Sequence, residues 1–236
     1  MTNEHFYDHF HQDKPTRSGL RFAVRFAQRI ADFAGIQAEN RVLEIGPGRG
    51  TFADVCLSRK ARYAAVEPNI PLAEALEAKG VPVVRAMIPP VPSFGSPFDF
   101  VVMINLLEHM NSMKEALEVV RSVKAALDRQ GKLVICCPDY LNMREQFFNC
   151  DFSHNYVTTQ RRLSQLLTSA GFARMRSVYL AGPLSGAAAV VTAGIVARMP
   201  FGWFHAWFPT NRLCAKLYKA QLSLSRKVLI VAENSD

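Results

Sequence analysis

Between Phe152 and Ala232 the chain has no aspartate and no glutamate, yet it carries ten lysines and arginines there. The rest of the chain holds 18 basic against 20 acidic residues, so the net charge of +8 comes entirely from the C-terminal third. A stretch with no internal counter-charge suits a solvated face, an anionic substrate, a membrane surface or a nucleic acid. Cysteine is scarce as well. Cys56, Cys136, Cys137, Cys150 and Cys214 are odd in number and show neither CxxC nor Cys–His spacing. That excludes a disulfide framework or a finger-type zinc site and predicts a reducing, cytoplasmic setting. Met1–Lys14 lacks the basic stretch and apolar run of a secretory signal, so none is expected. Repeats and low-complexity tracts are missing too. Apolar residues are plentiful, at 49% of 236, which is enough to fill one core with a sizeable insertion.

Periodicity orders that apolar content. Thr16–Ala34 reads as an amphipathic helix closed by Gly35, with Arg17, Arg21, Arg25 and Arg29 repeating every fourth residue. Like charges at that spacing repel mildly, which makes an anionic partner or simple solvent exposure the two readings. From Arg41 onward strands and helices alternate. Strands are predicted over 41–45, 63–66, 81–84, 98–104, 132–137, 175–180 and 227–232, and helices over 51–59, 70–79, 112–127 and 159–170. Alternation of this kind builds a mostly parallel sheet with helices on both faces. About 45 residues separate the last two strands, more than an ordinary connection needs.

Val42-Leu43-Glu44-Ile45-Gly46-Pro47-Gly48-Arg49-Gly50 leads out of the first strand. Glycines there allow a sharp turn and bring backbone N–H groups close to a ligand, at the positive end of the next helix. The second strand ends at Glu67, where a carboxylate can accept both ribose hydroxyls of an adenosine. A nicotinamide-binding domain would continue G-x-G-x-x-G or A, but Thr51 holds the last position.

LEIGPGRG, VEPN, FDFVVMINLLEHM and GKLVICCPD, in that order and spacing, resemble the class I S-adenosylmethionine (SAM)-dependent methyltransferase superfamily. The closer likeness is to its small-molecule branch, with the ubiquinone-pathway and polysaccharide-cluster enzymes. The resemblance implies an α/β fold with a Rossmann-like seven-stranded sheet, mostly parallel, with an antiparallel last strand. It implies one domain over 1–236: N-terminal cap helices in 1–40, a SAM-binding core in 41–180, an insertion in 182–226 and the last strand at 227–232. SAM would be the cofactor, with Glu44, Gly46, Gly48 and Gly50 around its methionine moiety, Glu67 on its ribose, and Asn105 and Leu106 on its far side. Many relatives hold the adenine amino group with an acidic residue after strand three. Here Arg85-Ala86-Met87 stands there, leaving Ala86, Met87 or Ile88 to pack the adenine.

Methyl transfer from a sulfonium is an in-line displacement that needs alignment, a dry site and sometimes a base, so no metal is expected. His154 lies after strand five, on the side that faces the acceptor in such folds, and could take a hydroxyl proton. His109 is the second candidate base, with packing or capping of the next helix as its structural alternative. His5, Phe6, Tyr7, His9, Phe10 and His11 would form a lid over SAM or a frayed end.

Within the insertion, uncharged Leu184–Ala197 precedes both tryptophans, Trp203 and Trp207, and then Arg212, Lys216 and Lys219. This order resembles a surface that enters an anionic lipid interface over 184–219, and a local core lidding the acceptor pocket is the alternative. A single crossing is not expected, because 227–232 must rejoin the sheet. The acceptor expected is small, lipid-linked or glycan-type; a soluble metabolite or RNA, or non-catalytic SAM binding, are the other readings. No RNA-binding motif is present, so nucleic acid is not expected.

Overall fold

All seven strands expected from the apolar runs join one sheet. The computed structural model describes residues 16–234. The sheet contains β1 (Arg41–Ile45), β2 (Arg62–Val66), β3 (Val83–Val84), β4 (Phe98–Ile104), β5 (Leu127–Pro138), β6 (Phe172–Ala181), β7 (Leu184–Ser185) and β8 (Lys227–Asn234). Their order is β3-β2-β1-β4-β5-β8-β6-β7. β3 to β5 pair in parallel, whereas the last strand, β8, runs antiparallel to both β5 and β6 and lies inside the sheet. The sheet therefore has eight strands rather than seven. The additional one, β7, is a two-residue return against β6, too short to show any alternation in sequence.

Strand parity divides the core. Leu43, Ile45, Val101, Met103, Leu133 and Ile135 face one side, where α4 (Met113–Ala126) and α7 (Gln160–Ser169) cover them. Val42, Phe100, Val102, Val134 and Cys136 face the other, beneath α1 (Arg17–Ala34), α2 (Thr51–Ser58) and α3 (Ile70–Glu77). α1 begins where Thr16 accepts a hydrogen bond from the Gly19 amide, and ends at left-handed Gly35. The expected helix ends held to within two residues. Two short helices, α5 (Tyr140–Met143) and α6 (Gln146–Asn149), fill the polar segment after β5.

The insertion rises from the sheet edge at which the parallel strands end, since Lys227 at the start of β8 pairs with Leu180 and Pro138. It contains α8 (Gly186–Val196), α9 (Phe201–Trp207) and α10 (Arg212–Ser223). Gly186–Trp207 is long and apolar enough to cross a membrane by length and composition. However, its helix breaks over 197–200, and the chain returns to the edge it left. The carbonyls of Val196 and Met199, on either side of the start of that break, accept hydrogen bonds from the buried Gln221 side chain at 2.8 and 2.7 Å, as desolvated backbone requires. Asn142 and Gln146, from the segment after β5, hold the insertion through Ala193 and Tyr218.

Candidate active site

Three strand ends meet at one edge. β1 stops at Ile45, which lies opposite Val66 of β2 and Met103 of β4. Gly46, Glu67 and Asn105 therefore emerge side by side, each still tied to the ladder by its amide: Gly46 to Val66, Glu67 to Val84 and Asn105 to Cys136. Crevices beyond such carboxyl ends are where open α/β sheets bind ligands.

The turn that follows β1 is left-handed at Gly46, Gly48 and Gly50. Side chains are excluded at two of these positions. A Cβ on Gly46 would come within 3.0 Å of Leu106, and one on Gly50 within 2.7 Å of Leu76. Gly48 differs in that nothing lies within 4 Å of where its Cβ would be, so this corner of the turn faces open space. The Glu67 carboxylate closes the turn, with Oε2 accepting from the Gly48 amide at 3.1 Å and Oε1 from the Asn69 amide at 3.0 Å. Burial pushes its pKa up, against those two bonds. Each carboxylate oxygen has a second lone pair, so the group can still accept two hydroxyls. An open glycine corner beside a buried carboxylate fits an adenosine-type cofactor. Asn105 adds a strained left-handed residue, φ 50°, with its side chain exposed at the end of β4.

The remaining residues expected around the cofactor are placed differently. Glu44 shares strand parity with Val42 and points into the α1–α2 layer, where it accepts a hydrogen bond from Tyr63 on β2. Complete burial raises its carboxyl to about 8. Ala86 is half-buried against the core, while Met87 is 72% exposed.

A second cluster lies just beyond β4 and β5. The amides of Asn155 and Tyr156 both donate to the Glu108 carbonyl, at 2.9 and 3.0 Å, which draws the 151–156 loop onto the turn holding His109. His109 and His154 then meet edge to face with ring centroids 5.0 Å apart. His154 Nδ1 is 2.6 Å from the Phe147 carbonyl, which can only accept, so the proton sits on Nδ1 and Nε2 keeps a lone pair. On the other ring, Ser153 Oγ gives its proton to Asp151 at 2.6 Å, so His109 Nδ1 donates to Ser153 at 2.8 Å. Burial lowers the pKa of both histidines. Glu108 lies under them, fully buried, with Oε2 lacking a hydrogen-bond partner among the described residues and its carboxyl pushed up to about 7. Donor atoms of Glu108, His109 and His154 lie within 4.8 Å of one another. Ser153 escaped the sequence reading because its partner His109 is 44 positions away, and Asp151 with it because it acts through Ser153. The N-terminal aromatic and histidine cluster, His5 to His11, lies outside the described residues.

This arrangement, a glycine turn, a buried carboxylate beside it and a reversed β8 within one sheet, matches known proteins. Residues 11–176 fit the family model described as a methyltransferase domain, well over half of the chain. The chain belongs to the class I SAM-dependent methyltransferases. Among solved structures, a candidate sarcosine dimethylglycine methyltransferase of Galdieria sulphuraria superposes with a TM-score of 0.64, at 13% identity over 99% of this chain and 98% of that one. A SAM-dependent methyltransferase of Archaeoglobus fulgidus gives 0.60, at 19% identity over 88% and 92%. The Burkholderia thailandensis 1,6-didemethyltoxoflavin-N1-methyltransferase, solved with bound 1,6-didemethyltoxoflavin and S-adenosylhomocysteine, gives 0.59, at 16% identity over 91% and 79%. At such identities these likenesses are of fold. A search of curated proteins found no match.

Proposed function

We propose that this methyltransferase acts on a small, lipid-linked or glycan-type acceptor at the inner, cytoplasmic face of a membrane, with His154 as the general base. The observation that carries the reading is where the apolar surface lies. Eleven of the nineteen exposed large apolar side chains among the described residues fall within 184–217, on an insertion that rises from the same edge as the glycine turn. Exposed apolar patches of this kind mark interaction sites, and tryptophans beside basic residues suit a lipid interface.

SAM, when bound, would supply an electrophilic methyl group, its sulfonium leaving as a neutral thioether. The chain's own residues do the rest. Gly46, Gly48 and Gly50 would line the methionine moiety, Glu67 would accept the ribose hydroxyls, Asn105 and Leu106 would close the far side, and Ala86 with Met87 would flank the adenine. Glu44 supports the turn from beneath by binding Tyr63 across β1 and β2. The acceptor hydroxyl would give its proton to His154 Nε2, which the Phe147 carbonyl keeps free, as its oxygen takes the methyl group and the methyl–sulfur bond breaks. His109, fixed by Ser153, packs against that ring. Domain limits follow the same reading: a cap helix up to residue 40, the core over 41–180 and the insertion over 182–226.

A second reading, an insertion that lids a soluble acceptor, draws on the contacts of Asn142 and Gln146 with it. Radiolabelled SAM, offered with a membrane lipid extract and separately with the lipid-depleted metabolite fraction, tests both. Label should enter the organic phase, and it should fail to do so with His154→Ala. Label confined to the aqueous fraction would favour the lid instead.

A further inference from the structure

The structure brings a second basic element to the insertion, 154 positions away in sequence. α1 meets the base of the insertion: Arg29 Nε donates to the Pro183 carbonyl at 3.0 Å, and the Phe22 ring packs so closely on Gly182 that a Cβ there would lie 2.1 Å from it. Phe22 and Arg29 are two helical turns apart and share a face. Arg25 lies next to that face, and Arg17 and Arg21 continue outward from it, all of them exposed. None of these three makes an ion pair with another described residue.

This arginine row is locally unfavourable. It places positive charge in the first turns of a helix that has no acidic residue there, against the helix dipole, and it stacks like charges at a spacing of four. Among the described residues no acidic side chain pairs with Arg17, Arg21 or Arg25 to offset that cost. An anionic surface lying over the row would reverse both effects. The insertion that begins at this contact carries Trp203, Trp207, Phe208 and Leu213, all exposed, with Arg212 and Lys216 among them in sequence. No acidic residue occurs in the insertion to compete for either set of charges.

We infer that Arg17, Arg21 and Arg25 of α1 form, with the insertion, one surface that binds the headgroups of anionic phospholipids while the aromatics enter the bilayer. The inference rests on the membrane reading above and adds a partner of stated charge and a second contact on α1. Because both contacts flank the sheet edge that holds the glycine turn, the site mouth would face the lipid.

Co-sedimentation of the full chain with phosphatidylcholine vesicles, with and without phosphatidylglycerol, tests it. The triple variant Arg17→Gln, Arg21→Gln, Arg25→Gln should bind anionic vesicles on the order of 100-fold more weakly, as three surface cations near an acidic leaflet imply. Its salt dependence should be shallower, while its circular dichroism and SAM binding stay unchanged. The double variant Trp203→Ser, Trp207→Ser should lose binding to both vesicle types. If the tryptophan variant loses binding and the arginine variant does not, the α1 contact is wrong and the membrane reading stands. If wild-type protein binds neither vesicle, the membrane reading itself fails.

Discussion

Replacing Glu44 by glutamine should change how the protein's stability depends on pH. The Glu44 carboxyl is completely buried, receives one hydrogen bond from Tyr63 and sits at about 8 instead of 4.5. Its folded-state pKa is thus raised above the unfolded value, so between 4.5 and 8 the folded chain holds a proton that the unfolded chain releases. Stability is then fully present below 4.5 and is lost as pH rises towards 8, by about 1.4 kcal/mol per unit. From pH 5.5 to 7.0 this one group removes about 2 kcal/mol. Glutamine keeps an oxygen for the Tyr63 hydroxyl and cannot ionise, so Glu44→Gln should lose none of it. Urea unfolding at pH 5.5, 6.2 and 7.0 compares the two chains directly. The variant should gain on the wild type by about 2 kcal/mol across the series; curves that stay parallel would mean that the carboxylate ionises in place and that the burial argument is wrong.

Two other perturbations follow from the same geometry. His154→Ala should lower kcat by about 10²- to 10⁴-fold with saturating SAM. In the wild type, burial lowers the pKa of His154, so the rate should rise with pH and level off with a midpoint below 6.5; a midpoint above 6.5 contradicts the assignment. Asp139 is fully buried, and its Oδ2 accepts from Arg226 at 2.6 and 2.7 Å at the root of the insertion. Arg226→Met leaves that carboxylate without its cation and should destabilise the protein by about 3 kcal/mol in urea unfolding; a loss under 0.5 kcal/mol would show that the pair matters little.

How much of this was legible in the sequence depends on range. Five of the seven expected strands announced themselves by a run of four or more apolar residues, those over 41–45 and 81–84 being interrupted by Glu44 and Pro82, and the glycine turn with Glu67 followed from fixed spacing along two adjacent strands. Short elements did not. α5 and α6 are one turn each, so a 3.6-residue period has no room to appear, and Phe147 hides a fully buried anchor inside a polar segment. The direction of Glu44 was readable in principle, since strand alternation puts it with Val42 rather than with Leu43 and Ile45. Meetings across the chain were not readable: Ser153 with His109, Phe22 with Gly182 and Gln221 with the break after α8 depend on packing that no local pattern encodes.

The cofactor site is tested most directly by calorimetric titration of the purified chain with SAM and with S-adenosylhomocysteine, alongside Glu67→Ala. Two ribose hydroxyls bonded to a buried carboxylate imply a loss on the order of 100-fold in affinity for the variant. Micromolar binding that collapses in Glu67→Ala is the predicted result; no binding by folded wild-type protein, or equal binding by the variant, would contradict the placement of SAM on the glycine turn.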